Sequence, residues 1–158
     1  MTEYKIEHRA AFQLTGYGFT IQAPFTDFAA LSAEKKTFWQ ELADNGRFAK
    51  LKKVAADSLE WSVNEVYQGK PWNYFAVETA DNVTDATRLI EFPDSDYVIV
   101  SANGDKETLF DQLTGLAFGQ VLGEISDYAY VGGPNGTYRI ENADGSWSGA
   151  ILIPVVKK

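Results

Sequence analysis

The side chains in this sequence best suited to chemistry are aromatic rings standing close to carboxylates. Trp61, Trp72, Tyr74, Phe75, Tyr128, Tyr130, Tyr138 and Trp147 fall on expected strands or at their edges, with Glu60, Glu65, Glu78, Asp127 and Glu141 near them in the chain. A ring buries apolar surface and its face attracts a cation, while a carboxylate supplies compensating charge, so the combination forms a receptor for flat, hydrophobic or cationic molecules. Taken singly, each ring could fill the core and each acid could face water. Taken together, so many rings in polar company describe an aromatic-lined cavity, and Trp61, Glu65, Trp72, Tyr74, Tyr130, Glu141 and Trp147 are its candidate ligand-binding residues. Glu141 follows Tyr138 and Ile140 at a period of two, so it points to the opposite sheet face if those two enter the core; Glu65 has the corresponding place after Trp61 and Val63.

Other chemistry is excluded by what is absent. The chain has no Cys and one His, His8, so thiol nucleophiles, disulfides, Cys-ligated clusters and multi-histidine metal centres fall away, and neither a metal nor a cofactor is expected. Paired carboxylates acting as acid and base remain open, although no spacing singles out a pair and no catalytic residue is assigned. Gly132-Gly133-Pro134-Asn135-Gly136 lacks the Lys-Ser/Thr of a phosphate loop and precedes a strand, so it reads as a turn.

The elements that must position these residues come in two rounds. In the first, Phe12 to Ile21 alternates as a strand broken near Gly16. Ser32 caps a helix carrying Phe38, Trp39, Leu42 and Ala43 on one face and stopping at Gly46. Phe48, Leu51 and Val54 mark a second short helix, Leu59 to Val63 a strand, 67–71 a turn, and Tyr74 to Thr79 the returning strand. In the second, Tyr97 to Val100 is a strand, and Asp105 caps a helix with Leu109, Phe110, Leu113 and Leu116 that frays near Gly115. Tyr128 to Val131, Thr137 to Glu141 and Trp147 to Val156 are further strands. Thr37-Phe38-Trp39-Gln40-Glu41-Leu42 and Thr108-Leu109-Phe110-Asp111-Gln112-Leu113 share one pattern, 71 residues apart. The expectation is an α+β fold: one domain over 1–158 built as a pseudo-twofold duplication of a strand-helix-strand-strand unit. Its halves run about 1–82 and 83–158, with helices on one side of antiparallel sheet and a central cleft between halves.

The 158 residues suit such a domain, and 14 Lys+Arg against 22 Asp+Glu give a formal net charge of −8. That balance argues against nucleic acid as a direct partner, and Arg47, Lys50, Lys52 and Lys53 read as the solvated side of a helix. No apolar run could span a bilayer and no signal peptide precedes the first strand, which points to a cytoplasmic protein with no membrane partner.

The layout resembles the GyrI-like, or Rob/AraC-type, effector-binding domain family, also found in multidrug-sensing regulators. The residues carrying the resemblance are Lys5-Ile6-Glu7 through Gly16, the Thr37–Leu42 helix start, Trp61–Tyr67 and Glu91-Phe92-Pro93 to Tyr97-Val98-Ile99-Val100. Asp127-Tyr128-Ala129-Tyr130-Val131-Gly132-Gly133-Pro134-Asn135 and Ile151-Leu152-Ile153-Pro154-Val155 complete it. The resemblance implies a cleft that binds hydrophobic, often cationic, compounds, with Glu141 as the match to the family's pocket glutamate. Ala143 stands where an aromatic is usual. Some relatives hydrolyse strained cyclopropane rings and carry Gly-Glu-apolar-Trp-Ile-Pro on the last strand; here Gly149-Ala150-Ile151-Leu152-Ile153-Pro154 lacks the acid and the ring. The resulting expectation is a stand-alone small-molecule binder. The alternatives are a metal-free hydrolase of strained-ring electrophiles or a gyrase-inhibitor-like module that docks on a protein partner or on a second copy of itself.

Overall fold

The computed structural model describes residues 3–130 and 132–158. In chain order the elements are β1 (Lys5–Arg9), β2 (Phe12–Thr20), α1 (Phe28–Asp44), α2 (Arg47–Val54), β3 (Glu60–Tyr67), β4 (Lys70–Val77), β5 (Arg88–Phe92), β6 (Ser95–Gly104), α3 (Leu109–Leu116), β7 (Tyr128–Ala129), β8 (Asn135–Glu141) and β9 (Trp147–Lys157). A π-helical turn, Ala117–Val121, extends α3, so the glycine-spaced segment widens its coil where fraying was expected. Val131, expected to end the β7 strand, lies outside the described residues.

The curled antiparallel sheet has the order β1-β6-β9-β8-β3-β4-β2-β5, with β7 added on β9. The two halves meet where β3 pairs with β8, and the strands run outward from that seam in matching order, β3-β4-β2 on one side and β8-β9-β6 on the other. The 71-residue repeat is real in space. Asn64 pairs with Asn135 across the seam, and the rings of Trp39 and Phe110 meet edge-on at 5.2 Å. The outermost strands are exchanged: β1 leads into β2 yet pairs with β6, and β5 leads into β6 yet pairs with β2. Each half therefore completes the other.

Alternation along the strands divides the interior into three clusters. Tyr17, Leu42, Leu51, Phe75 and Val77 lie under α1 and α2; Val98, Val100, Leu109, Leu113, Ile151 and Ile153 lie under α3. On the other face the curl of the sheet lets its own side chains cover one another, and Leu14, Trp61, Tyr74, Phe92, Tyr97 and Leu152 are buried there. Fully burying side chains of this size contributes roughly 1.5–3 kcal/mol each.

Local chemistry sets the helix ends. The cap of α1 lies five residues before the expected Ser32, at Asp27, whose Oδ1 accepts from the amide of Ala30 at 3.0 Å. Gly46, at φ +84°, takes the left-handed turn that separates α1 from α2. Asp105 does not open α3: its carbonyl accepts from the amides of Thr108 and Leu109, and the helix starts at Leu109. β2 runs through Gly16 without a break because it pairs on both edges, with β4 and β5.

Candidate functional site

α1 and α3 stand on the same face of the sheet with a cleft between them, over the seam of β3 and β8. Side chains at helical spacing line it from each side: Phe28, Leu31, Ser32, Lys35 and Trp39 from α1, and Phe110, Asp111, Thr114 and Phe118 from α3 and its π turn. Ser32 Oγ donates to Asp111 Oδ2 at 2.7 Å, and this bridge divides the cleft into two chambers that share Ser32, Lys35, Asp111 and Thr114.

The outer chamber, about 550 Å³, is apolar. Phe25, Phe28, Val66 and Phe118, four of the seven large hydrophobic side chains left exposed among the described residues, line it. Phe118 meets Tyr130 edge-on at 5.8 Å, and the Tyr130 hydroxyl donates to the Gly133 carbonyl, which holds the ring against the glycine turn. Asn64 and Asn135 supply polar atoms from the seam.

The inner chamber, about 440 Å³, is walled by Trp39, Phe48 and Phe110 and is rich in cations. Arg139 is buried there. Its Nε donates to Glu60 Oε1 at 2.9 Å and its Nη1 to the Lys106 carbonyl at 2.8 Å, while its guanidinium lies 4.5 Å from the Phe110 ring centre and 5.3 Å from that of Trp39. Lys52 Nζ approaches the other Glu60 oxygen at 3.3 Å. Lys35 differs from these: among the described residues no hydrogen bond or close ion pair holds its ammonium. Burial pulls its pKa below the usual lysine range, and the charge of Asp111 opposes that fall.

Of the sequence-based candidates, Glu65, Trp72 and Tyr130 line the outer chamber. Glu65 is already committed. Both its oxygens accept from Arg88, Nε at 2.6 Å and Nη2 at 3.1 Å, and Oε1 accepts from the Tyr74 hydroxyl at 3.1 Å. Burial, reinforced by the Glu65 charge, pushes the Tyr74 phenol well above its usual range. Trp61 and Tyr74 are on the opposite face of the sheet, in the core of the curl, with Trp61 against Tyr138 at 5.2 Å. Trp147 packs beside the α3 cluster, with Lys106 and Arg139 over its ring. Glu141 pairs with Trp147 at the far end of β8, exposed to solvent, and lines neither chamber. The candidate set therefore does not converge on one place. Residues that strand-centred reasoning missed, among them Phe28, Lys35, Asp111, Arg139 and Phe118, make up most of the cleft. For the α1 residues the helical spacing 28, 32, 35, 39 was a signal that could have found them; Asp111, Phe118 and Arg139 come from other elements and share no such spacing with it.

A family model, described as an integron-associated effector binding protein, matches residues 5–155. The chain belongs to this effector-binding family. The resemblance to GyrI-like domains is thereby borne out. Solved structures similar to this effector-binding protein share its fold at low identity. SAV2435 bound to tetraphenylphosphonium superposes with a TM-score of 0.79 at 17% identity, covering 98% of this chain and 94% of that one. A protein from Staphylococcus aureus MU50 described as a putative bacterial transcription regulation protein gives 0.75 at 16%, covering 98% and 99%. An integron cassette protein from the mobile metagenome of Vibrio cholerae gives 0.68 at 12%, covering 97% and 95%. No curated protein matches the chain. Among the described residues no cluster of acids and histidine could hold a metal, and no helix is long and apolar enough to cross a membrane.

Proposed function

We propose that this effector-binding protein takes up a hydrophobic, ring-bearing small molecule in the outer chamber, acting in the cytoplasm as a binding module. The observation that carries the reading is the convergence of Phe25, Phe28, Val66 and Phe118, all exposed, on one cavity of drug-like size. Exposed apolar side chains gathered in this way cost solvation unless something covers them, and a concave, mostly apolar pocket with a few polar atoms is the usual form of a small-molecule site. Tetraphenylphosphonium, the compound bound to the similarly folded SAV2435, makes multi-ring compounds the first probes.

Trp72 and Trp39 line the outer and inner chambers, so tryptophan fluorescence reports occupancy. Saturable quenching by tetraphenylphosphonium or an uncharged naphthylamine is expected, and one site per chain by calorimetry. A panel of multi-ring compounds in which none binds saturably would remove the proposal.

A further inference from the structure

The bridge that splits the cleft stands outside the repeat. α1 and α3 already meet through Trp39 and Phe110, which occupy matching places in the two halves and touch edge-on at 5.2 Å. Ser32 and Asp111 are not matched in this way. Their counterparts at the same offset are Asn103 and Gln40, and these are engaged elsewhere: Gln40 Nε2 donates to Asp44 Oδ1 at 2.9 Å, and Asn103 Oδ1 accepts from Ser148 Oγ at 2.7 Å. The hydrogen bond from Ser32 to Asp111 therefore has no equivalent on the other side of the pseudo-twofold. The duplicated framework is built without it.

Its position gives it a consequence for ligands. Rings stand on both sides, Phe28, Trp72 and Phe118 in the outer chamber and Trp39, Phe48 and Phe110 in the inner one. The Arg139 guanidinium lies against the rings of Phe110 and Trp39, and the same cation can face the ring of a ligand. With the bridge closed, a ligand has the outer chamber of about 550 Å³ to itself. A longer molecule that reaches the inner chamber, of about 440 Å³, must part Ser32 from Asp111. Hydrogen bonds to carboxylates are among the stronger ones, and breaking this one leaves a half-buried carboxylate oxygen without its donor.

We infer that Ser32 and Asp111 determine the specificity of the cleft: their bridge is a partition that selects compact multi-ring ligands over elongated ones carrying a ring at each end. The inference rests on the proposed use of the cleft and adds what limits the length of its ligand.

The probes are N-phenyl-naphthylamine, which is compact, and diphenylhexatriene, a rod with a phenyl ring at each end. Both are uncharged, so the charges of the cleft weigh little in the comparison. The readout is the ratio of their affinities in fluorescence titrations. Ser32→Ala removes the donor and should shift that ratio toward the rod by about tenfold, close to 1.4 kcal/mol. Asp111→Asn keeps an acceptor but makes a neutral hydrogen bond of about half the strength, so it should shift the ratio by only about threefold. A bridge that served stability alone would move both affinities together and leave the ratio where it was. The inference is overturned if Ser32→Ala leaves the ratio within about twofold of the wild type, or if Asp111→Asn shifts it as far as Ser32→Ala does. Failure of both probes to bind wild type and variants alike is a different result: it removes the proposed use of the cleft, and the partition with it.

Discussion

Replacing Arg139 by methionine tests the physical account of the seam. Arg139 comes from β8 and Glu60 from β3; both side chains are more than nine-tenths buried, and the pair spans the junction of the two halves. The substitution removes two charge-assisted hydrogen bonds and leaves Glu60 buried with only Lys52, at 3.3 Å, as a cationic partner. Removing one partner of a buried pair costs about 3–5 kcal/mol, and the remaining lysine places the expected loss near about 3 kcal/mol. With a urea m-value of about 2 kcal/mol/M, the unfolding midpoint should fall by about 1.5 M. The double substitution Glu60→Met/Arg139→Met removes both charges and fills the space with apolar atoms, so it should recover to within about 1 kcal/mol of the wild type. Paired urea melts followed by circular dichroism decide the matter. A loss below about 1 kcal/mol for Arg139→Met, or a double variant as unstable as the two single losses added together, would refute the reasoning.

Three further outcomes are expected. Phe118→Ala should weaken binding of an uncharged ring probe by about fivefold in a fluorescence titration while shifting stability by less than about 1 kcal/mol, because Phe118 is 40% exposed and its main contact is the edge of Tyr130. His8, held by Asp96 and Asp94, should titrate above 6.5 by proton NMR, and Asp96→Asn should bring it back toward that value. Since the folded pKa is the raised one, this tie of β1 to β6 is fully present below pH 6.5 and is lost as pH rises through the folded value. Gly149→Ala should destabilise by about 2–3 kcal/mol in thermal melts, since its methyl would press on the Tyr138 carbonyl and on Leu109 and Leu113, which carry α3 on the sheet.

The sequence by itself determined the repeat, its register and the identity of most elements. The period-two run Trp61–Val63 and the short continuous apolar run Ile151–Val155 both read as strands, and the 71-residue offset brings Trp39 to Phe110 and Asn64 to Asn135. Alternation also separates Glu65 from Asn64 and Glu141 from Ile140. What alternation does not say is which face the helices will cover or how far along a strand they reach. That depends on pairings between residues distant in the chain. The tertiary structure alone decided that Trp61 and Tyr74 fill the curl of the sheet, that Glu65 is consumed by Arg88, and that Glu141 extends beyond the cleft. It alone exchanged β1 and β5 between the halves and set α1 against α3, because a strand edge and a helix flank are satisfied by whichever partner the whole fold brings near. Lys35 shows the division most clearly. Its helical phase is written in the sequence, but its place where the two chambers join exists only once α1 is set against α3 and Ser32 bridges to Asp111.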